Sequence, residues 1–248
     1  MILQDLHTHT TFCDGKNAPE EMVLAAISKG LCRIGFSGHS RTDFDLSYCM
    51  TDYAAYIAQI RSLAKKYAGK IEILCGVEQD YYSDAPTTEF DYVIGSVHYI
   101  RAGGEYIPID ESAEILTSAA KKHFGGDIYA LCECYYETLA DVYEKTHCDI
   151  IGHFDLVSKF NEGGALFDEE NVRYVAAYRS AADSLAKCGA YFEINSGAVA
   201  RGYRTTPYPS SEILKYLKGL GVKFIFSGDA HSTDGICYGI DKWGALAE

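Results

Sequence analysis

Among the residues of this chain whose side chains can bind metal ions, nine share one kind of position, at the ends of short apolar runs. His7 and His9 form an HxH pair with Asp14 behind it; His39, Glu78, His98 and His153 follow, and Asp229 with His231 comes last. Imidazole and carboxylate together are the donor set of zinc, iron and manganese. Alternate residues of an extended segment face the same side, so His7 and His9 can reach one ion. A single histidine after a strand is ordinarily a loop or core residue. Here six of the eight histidines belong to the set, and only His123 and His147 lie elsewhere, in helical stretches. Nine donors are too many for one tetrahedral ion, so the expectation is two or three divalent or transition-metal ions (Zn, Fe or Mn) with Glu78 bridging. Such a cluster suits phosphate ester hydrolysis better than redox chemistry. It lowers the pKa of a water, holds the phosphoryl oxygens and neutralises charge on the attacking and leaving oxygens.

Something must gather residues this far apart in sequence. Short runs rich in Ile, Val, Leu and Phe at 2–6, 33–37, 71–77, 92–97, 149–152, 191–194 and 223–226 read as strands. Between them, stretches of helical period lie near 18–29, 52–67, 111–124, 127–146, 169–188 and 210–220. The alternation predicts parallel strands joined by crossover helices, an α/β fold of the (β/α) barrel kind with fewer than the usual eight units. Pro19, with Glu20 and Glu21 behind it, marks a helix start, and Gly30, Gly69, Gly189 and Gly221 mark helix ends. A parallel barrel brings its C-terminal strand ends to one face. The nine donors follow strand candidates, so the same face would collect them.

No linker, repeat or low-complexity tract divides the chain, and 1–248 reads as a single domain. With Lys plus Arg at 22 and Asp plus Glu at 35, the net charge of −13 opposes binding to nucleic acid or to an anionic membrane. An anionic small molecule stays compatible, because bound cations make a pocket locally positive. The nine cysteines include no CxxC pair, and Cys132 and Cys134 have the wrong spacing for a zinc knuckle. Reduced core thiols, with Cys32, Cys75 and Cys132 in apolar runs, are the expectation. The start, MILQDLHTHT, has no signal-peptide pattern and no apolar run is long enough to span a bilayer, so a cytoplasmic location is expected.

The segments DLHTHTTFCDG, GFSGHS, CGVEQD, GSVHYI, IGHFDLV and SGDAHS, in this order, resemble the motifs of the PHP superfamily (polymerase and histidinol phosphatase). The resemblance runs from His7 to His231. It implies a distorted (β/α)7 barrel with a trinuclear metal centre at the strand ends. His7, His9, Glu78 and Asp229 would hold the first ion, Glu78, His98 and His153 the second, and Asp14, His39 and His231 the third. Within the superfamily, GSVHYIRAGGEYIPID, HFDLVSKF and EINSGAVARGYRTTPYPS look most like the histidinol-phosphatases, phosphomonoesterases that release L-histidinol and phosphate in histidine biosynthesis. In that likeness Arg201 and Lys159 would bind phosphate, and Glu193 and Asn195 would contact substrate or orient metal ligands. A metal-activated hydroxide would attack phosphorus in line, and Asp229, His231, His98 or His153 would manage protons.

Two other readings stand beside this one. A PHP phosphoesterase for another small phosphate ester would share the metal centre and differ in substrate. A non-catalytic metal-binding module would be expected to show degraded ligands, whereas all nine positions carry metal-competent side chains. The sequence does not specify the oligomeric state.

Overall fold

The computed structural model describes residues 3–248; position 2, expected to open the first strand, lies outside the described residues. The chain begins with β1 (Gln4–Asp5), α1 (Pro19–Ser28), β2 (Arg33–Phe36) and α2 (Tyr53–Lys66). Next come β3 (Glu72–Cys75), β4 (Val77–Asp80) and β5 (Val93–Ser96). A hairpin of β6 (Tyr99–Ala102) and β7 (Glu105–Pro108) precedes α3 (Ala113–His123), α4 (Ile128–Ala140) and α5 (Val142–Thr146). The remainder is β8 (Ile150–Ile151), α6 (Val172–Leu185), β9 (Tyr191–Asn195), α7 (Gly197–Ala200), α8 (Ser211–Gly219), β10 (Lys223–Ser227) and α9 (Ile240–Trp243).

Local chemistry sets the helix ends. Pro19 stands at the first turn of α1, and Glu21 reaches back to accept from the Ala18 N–H at 2.7 Å. Asp52, Ser112, Asp127 and Asn171 cap α2, α3, α4 and α6 through their side-chain oxygens. Gly30, Gly69, Gly189 and Gly221 all take positive φ, as expected after helical runs. The stretch 127–146, read as one helix, is two. The Asp141 N–H turns to Thr138 O, a tighter i→i−3 bond that ends α4 before α5 begins.

All strand pairings outside the hairpin are parallel. One sheet has the order β1-β2-β3 and the other β10-β9-β8-β5-β4. β3 passes into β4 through Gly76, and a bridge between His39 and Glu78 spans that seam. At the opposite seam Thr8 bridges Ala230, with His9 N donating to Ala230 O at 2.9 Å and Ala230 N donating to His7 O at 3.0 Å. Seven parallel strand positions therefore stand in a ring. The ring is distorted because isolated bridges, rather than continuous ladders, join its two arcs.

The ring encloses a small apolar cluster of Leu6, Tyr92, Ile94 and Ile150, with Leu74 and Ile225 against it, while the larger core lies between strands and helices. Tyr92 fills much of this interior and donates its hydroxyl to Leu6 O. A Cβ at Gly35 or Gly76 would collide with the Tyr92 side chain, so these strand glycines mark a close approach. Two residues further along their strands come Ser37, Glu78, Ser96 and Ser227. There the interior changes from apolar to polar.

The hairpin is absent from the sequence reading, although its turn, Gly103-Gly104 at φ 59° and 84°, is the two-residue kind that glycine favours. Cys75 and Cys132 are buried as expected, but Cys32 is exposed just ahead of β2. No helix among the described residues is long and apolar enough to cross a membrane.

Replacing Gly76 with Ala should cost ~1–3 kcal/mol, the usual range for overpacking. Gly219→Ala in open space at the end of α8 should be neutral or slightly stabilising. Urea unfolding of both variants checks the contrast, and equal midpoints would remove Tyr92 packing as the constraint.

Candidate metal centre

The polar layer of the ring holds Glu78, and the sequence-predicted donors surround it. His7 Nε2 lies 3.1 Å from Glu78 Oε2, His39 Nδ1 2.9 Å and His9 Nε2 3.5 Å. On the other oxygen, His153 Nε2 stands at 2.9 Å and His98 Nε2 at 3.3 Å from Oε1, which also accepts from Ser96 Oγ at 2.7 Å. Asp229 approaches His9 at 3.4 Å and His7 at 3.7 Å. Asp14 joins from the open side, 3.2 Å from His231, 3.6 Å from His39 and 3.8 Å from His9. All nine predicted donors thus come together.

Their burial is graded. His7, His9, Glu78 and His153 are sealed in the ring, whereas the Asp14 and His231 side chains keep 34% and 19% exposure, so the cluster opens to solvent at that end. Three sets of donor atoms lie within ion-binding distance of one another among the described residues. They are His7, His9 and Asp229; His39, Glu78 and His98; and His9, Asp14, His39 and His231. These overlap the sets implied by resemblance without coinciding. His9 and His39 each belong to two, and the His153 imidazole meets only Glu78 among the carboxylates of the described residues.

The chemistry of the donors fits metal ions. His7 Nε2, His9 Nε2, His39 Nδ1 and Glu78 Oε2 are buried with no hydrogen-bond partner. Orphaned polar atoms cost free energy in a sealed interior unless something else binds them. His7 Nδ1 donates to Glu193 Oε1 at 2.6 Å, and His98 Nδ1 lies 3.2 Å from Asp80 Oδ2. In each ring the distal nitrogen is committed to a carboxylate and the other is free to face the cluster, the arrangement that orients ligating histidines.

Charge is concentrated accordingly. Burial pushes the His7 imidazole down, but Glu193, Glu78 and Asp229 outweigh it and hold it well above its ordinary value. His98 is likewise held up by Glu78 and Asp80 against burial. His9 goes the other way, down to about 3, through burial and then the neighbouring His231 and His39. Burial would raise Glu78, yet His7, His39 and His98 keep it well below the carboxylate range. Asp229 is held well below its ordinary value against burial, first by Arg201 and then by His7.

Asp229 also has a left-handed backbone, φ 47°, uncommon outside glycine. Gly197 makes room for it, since a Cβ there would stand 2.6 Å from Asp229 Oδ2. The next loop is tied to β1: Asp5 accepts from Gly228 N at 3.0 Å and Cys237 N at 2.7 Å.

A cleft of about 320 Å³ opens over the cluster, and both predicted phosphate-binding cations line it. Arg201 donates to Asp229 O at 3.0 Å, to Asp229 Oδ2 at 3.1 Å and to His231 Nδ1 at 2.8 Å. Lys159, 8% exposed, donates to Asp110 O at 2.7 Å and reaches Asp110 Oδ2 at 3.2 Å, so it is a cleft residue and not a surface charge. Glu193 and Asn195 are fully buried and do not line the cleft, a position that suits the second of their two expected roles, orienting metal ligands, rather than contact with substrate. Glu193 instead accepts from His7 Nδ1, Ser227 Oγ, His153 N and Asn195 Nδ2, fastening three strand ends together. Asp80 and Asp110 were missed because isolated acids carry no spacing signal. The same cleft is walled by Tyr48, Tyr99 and Tyr203.

A family model described as PHP domain matches residues 5–197. The chain is 26% identical over 258 residues to the "Probable histidinol-phosphatase" of Schizosaccharomyces pombe, covering 91% of this chain and 79% of that protein. It is 28% identical over 248 residues to the "Probable histidinol-phosphatase" of Deinococcus radiodurans, covering 92% and 86%. Its structure resembles the histidinol phosphate phosphatase of Lactococcus lactis, solved with Zn, L-histidinol and phosphate, with a TM-score of 0.73 at 22% identity, covering 99% of this chain and 92% of that one.

Two outcomes are expected of the centre. Glu193→Gln, left with one acceptor oxygen where the carboxylate has two, cannot accept from His7 with Ser227 and from His153 N with Asn195 at once and should weaken metal binding ~10–100-fold with the fold retained, as loss of a ligand's supporting carboxylate does. Metal content after dialysis against a chelator series checks this, and unchanged affinity would reduce Glu193 to packing. Because the metal-free carboxylates hold His7 and His98 protonated, ion uptake must release protons, so apparent affinity should rise with pH. Calorimetry in buffers of different ionisation enthalpy measures that release; none at neutral pH would contradict the charge assignment.

Proposed function

This chain belongs to the PHP domain family, and from that premise we propose that it is a metal-dependent phosphomonoesterase acting on L-histidinol phosphate in histidine biosynthesis. One observation carries the reading: six imidazoles and three carboxylates meet at the floor of a cleft whose wall presents Lys159 and Arg201. Both similar curated proteins bear the histidinol-phosphatase name, and the Lactococcus lactis structure pairs L-histidinol and phosphate with zinc. Residues 1–248 would form one catalytic domain. Its nine free cysteines suit a reducing compartment, which supports a cytoplasmic location.

Two or three ions would be held by His7, His9, Asp14, His39, Glu78, His98, His153, Asp229 and His231, with Glu78 bridging. When bound, they supply Lewis acidity toward the phosphoryl oxygens and lower the pKa of water. The chain's own groups account for the rest. Lys159 and Arg201 attract and orient the phosphate, Arg201 through a planar fork and Lys159 as a point charge. Water forms the new P–O bond as the ester P–O bond breaks in line, and the departing alcohol takes a proton. Of the four groups expected to manage protons, His98 and His153 are committed to Glu78 and Asp80. Asp229 is ionised and can accept the proton of the attacking water. His231 accepts from Arg201 at Nδ1 and turns Nε2 to Asp14 and the ions it would hold, so the leaving oxygen would take its proton from water at the open end rather than from this imidazole.

The test is phosphate release from L-histidinol phosphate beside sugar phosphates and nucleotides, by protein of known metal content. A strong preference for L-histidinol phosphate is expected. Hydrolysis of the other esters alone would keep the chemistry and discard the substrate, and no hydrolysis by metal-loaded protein would overturn the catalytic reading. Lys159→Met should lower kcat/KM roughly 10–100-fold with metal content unchanged, the size of one lost hydrogen bond to a charged group.

A further inference from the structure

A second cleft, of about 360 Å³, shares no lining residue with the first. Its walls carry Arg204, Glu169, Ser211, Leu214 and Trp243. Arg204 is only 8% exposed. Its Nη1 donates to Ser158 O at 3.2 Å and also to Ser158 Oγ, and its Nε donates to Thr206 O at 3.3 Å, while Nη2 has no hydrogen bond among the described residues. Glu169 accepts from Asn161 Nδ2 at 3.0 Å on Oε1, and its Oε2 has no partner among the described residues. Burial pushes the Glu169 carboxyl above its ordinary value against that hydrogen bond. The charge of Arg204 is met first by the buried Asp155 and less by Glu169, and Arg204 and Glu169 form no ion pair with each other among the described residues. Two opposite charges thus border one cavity without pairing.

Two further features frame the space. The nine-residue helix α8 begins there, and Ser210 leaves its first turn without a side-chain cap. Those leading N–H groups are donors in need of an acceptor. Trp243, with Leu214, gives the cleft an apolar side. A phosphate dianion would meet both Glu162 and Glu169, and a metal ion would meet Arg204, so neither suits this wall.

We propose that this cleft is a second ligand site for a small zwitterion of the α-amino acid class. Its carboxylate would take Arg204 Nη2 and the first turn of α8, its ammonium Glu169, and its side chain the Trp243 and Leu214 surface. A bound zwitterion joins the two charges that the fold keeps apart and leaves its apolar part on the apolar side.

Trp243 is the single tryptophan of the chain, so its emission reports on this cleft. Full-length metal-loaded protein is titrated with each standard α-amino acid, following Trp243 fluorescence with calorimetry in parallel. At least one amino acid should bind saturably with a change in emission. Its amide and its deaminated analogue should bind more weakly, Glu169→Gln should cost at least about tenfold in affinity, and saturating inorganic phosphate should not compete. Arg204→Lys, which keeps the charge but loses the fork, should weaken binding while the thermal midpoint reports on the fold. Saturation by no amino acid at millimolar concentration would overturn the proposal. So would binding indifferent to Glu169→Gln, or binding displaced by phosphate, which would place the ligand over the metal centre.

Discussion

The structure turns on Glu78, a carboxylate taken out of water in the middle of a ring of strands. An unpaired buried carboxylate is costly enough that a protein ordinarily neutralises it or surrounds it with donors. Here imidazoles converge on both oxygens from four other strand ends, and several of their nitrogens have no hydrogen-bond partner. Imidazole is a weak counter-charge, and it becomes cationic only by taking up a proton. A divalent ion meets the same electrostatic demand more strongly and satisfies the orphaned nitrogens as well. The ligand set and the demand for positive charge are therefore one constraint.

That constraint explains features outside the cluster. The layer beneath must be rigid if donors on separate strands are to converge, and Tyr92, seated against Gly35 and Gly76, fills it with one large side chain. Glu193 uses both oxygens to hold His7, Ser227 and the backbone of His153, linking the first, fifth and last parallel strands. Asp5 fastens the turn before Asp229 to β1, which helps hold Asp229 in a left-handed conformation that the backbone resists. Each of these residues supports the site through groups other than the reacting ones.

The sequence revealed much of this because strand period and donor chemistry are local signals. The seven parallel strand positions emerged from apolar runs, and the nine donors from their place just after those runs. Supporting residues were harder to read. Asp80 lies within a strand and Asp110 just past one, and nothing in the chain near either announces that His98 or Lys159 will be its partner. Glu193 and Asn195 were noticed as the end of a strand, but the choice between touching substrate and holding ligands depended on burial, a property of the folded ring. The β6–β7 hairpin was legible in principle through Gly103-Gly104, and it was obscured by expecting helix after every strand.

The division of labour between the two cleft cations follows from the same geometry. Arg201 spends its fork on Asp229 and His231, so it couples the open end of the metal cluster to whatever occupies the cleft. Lys159 contacts no cluster residue and is held by Asp110 from the hairpin side. On the proposed function, a change at Arg201 would therefore disturb ligands and substrate together, whereas a change at Lys159 would act on substrate alone. A planar fork anchors two partners at fixed angles, whereas a point charge fixes only a distance, so Arg201 is tied to the geometry of the cluster and Lys159 to that of Asp110.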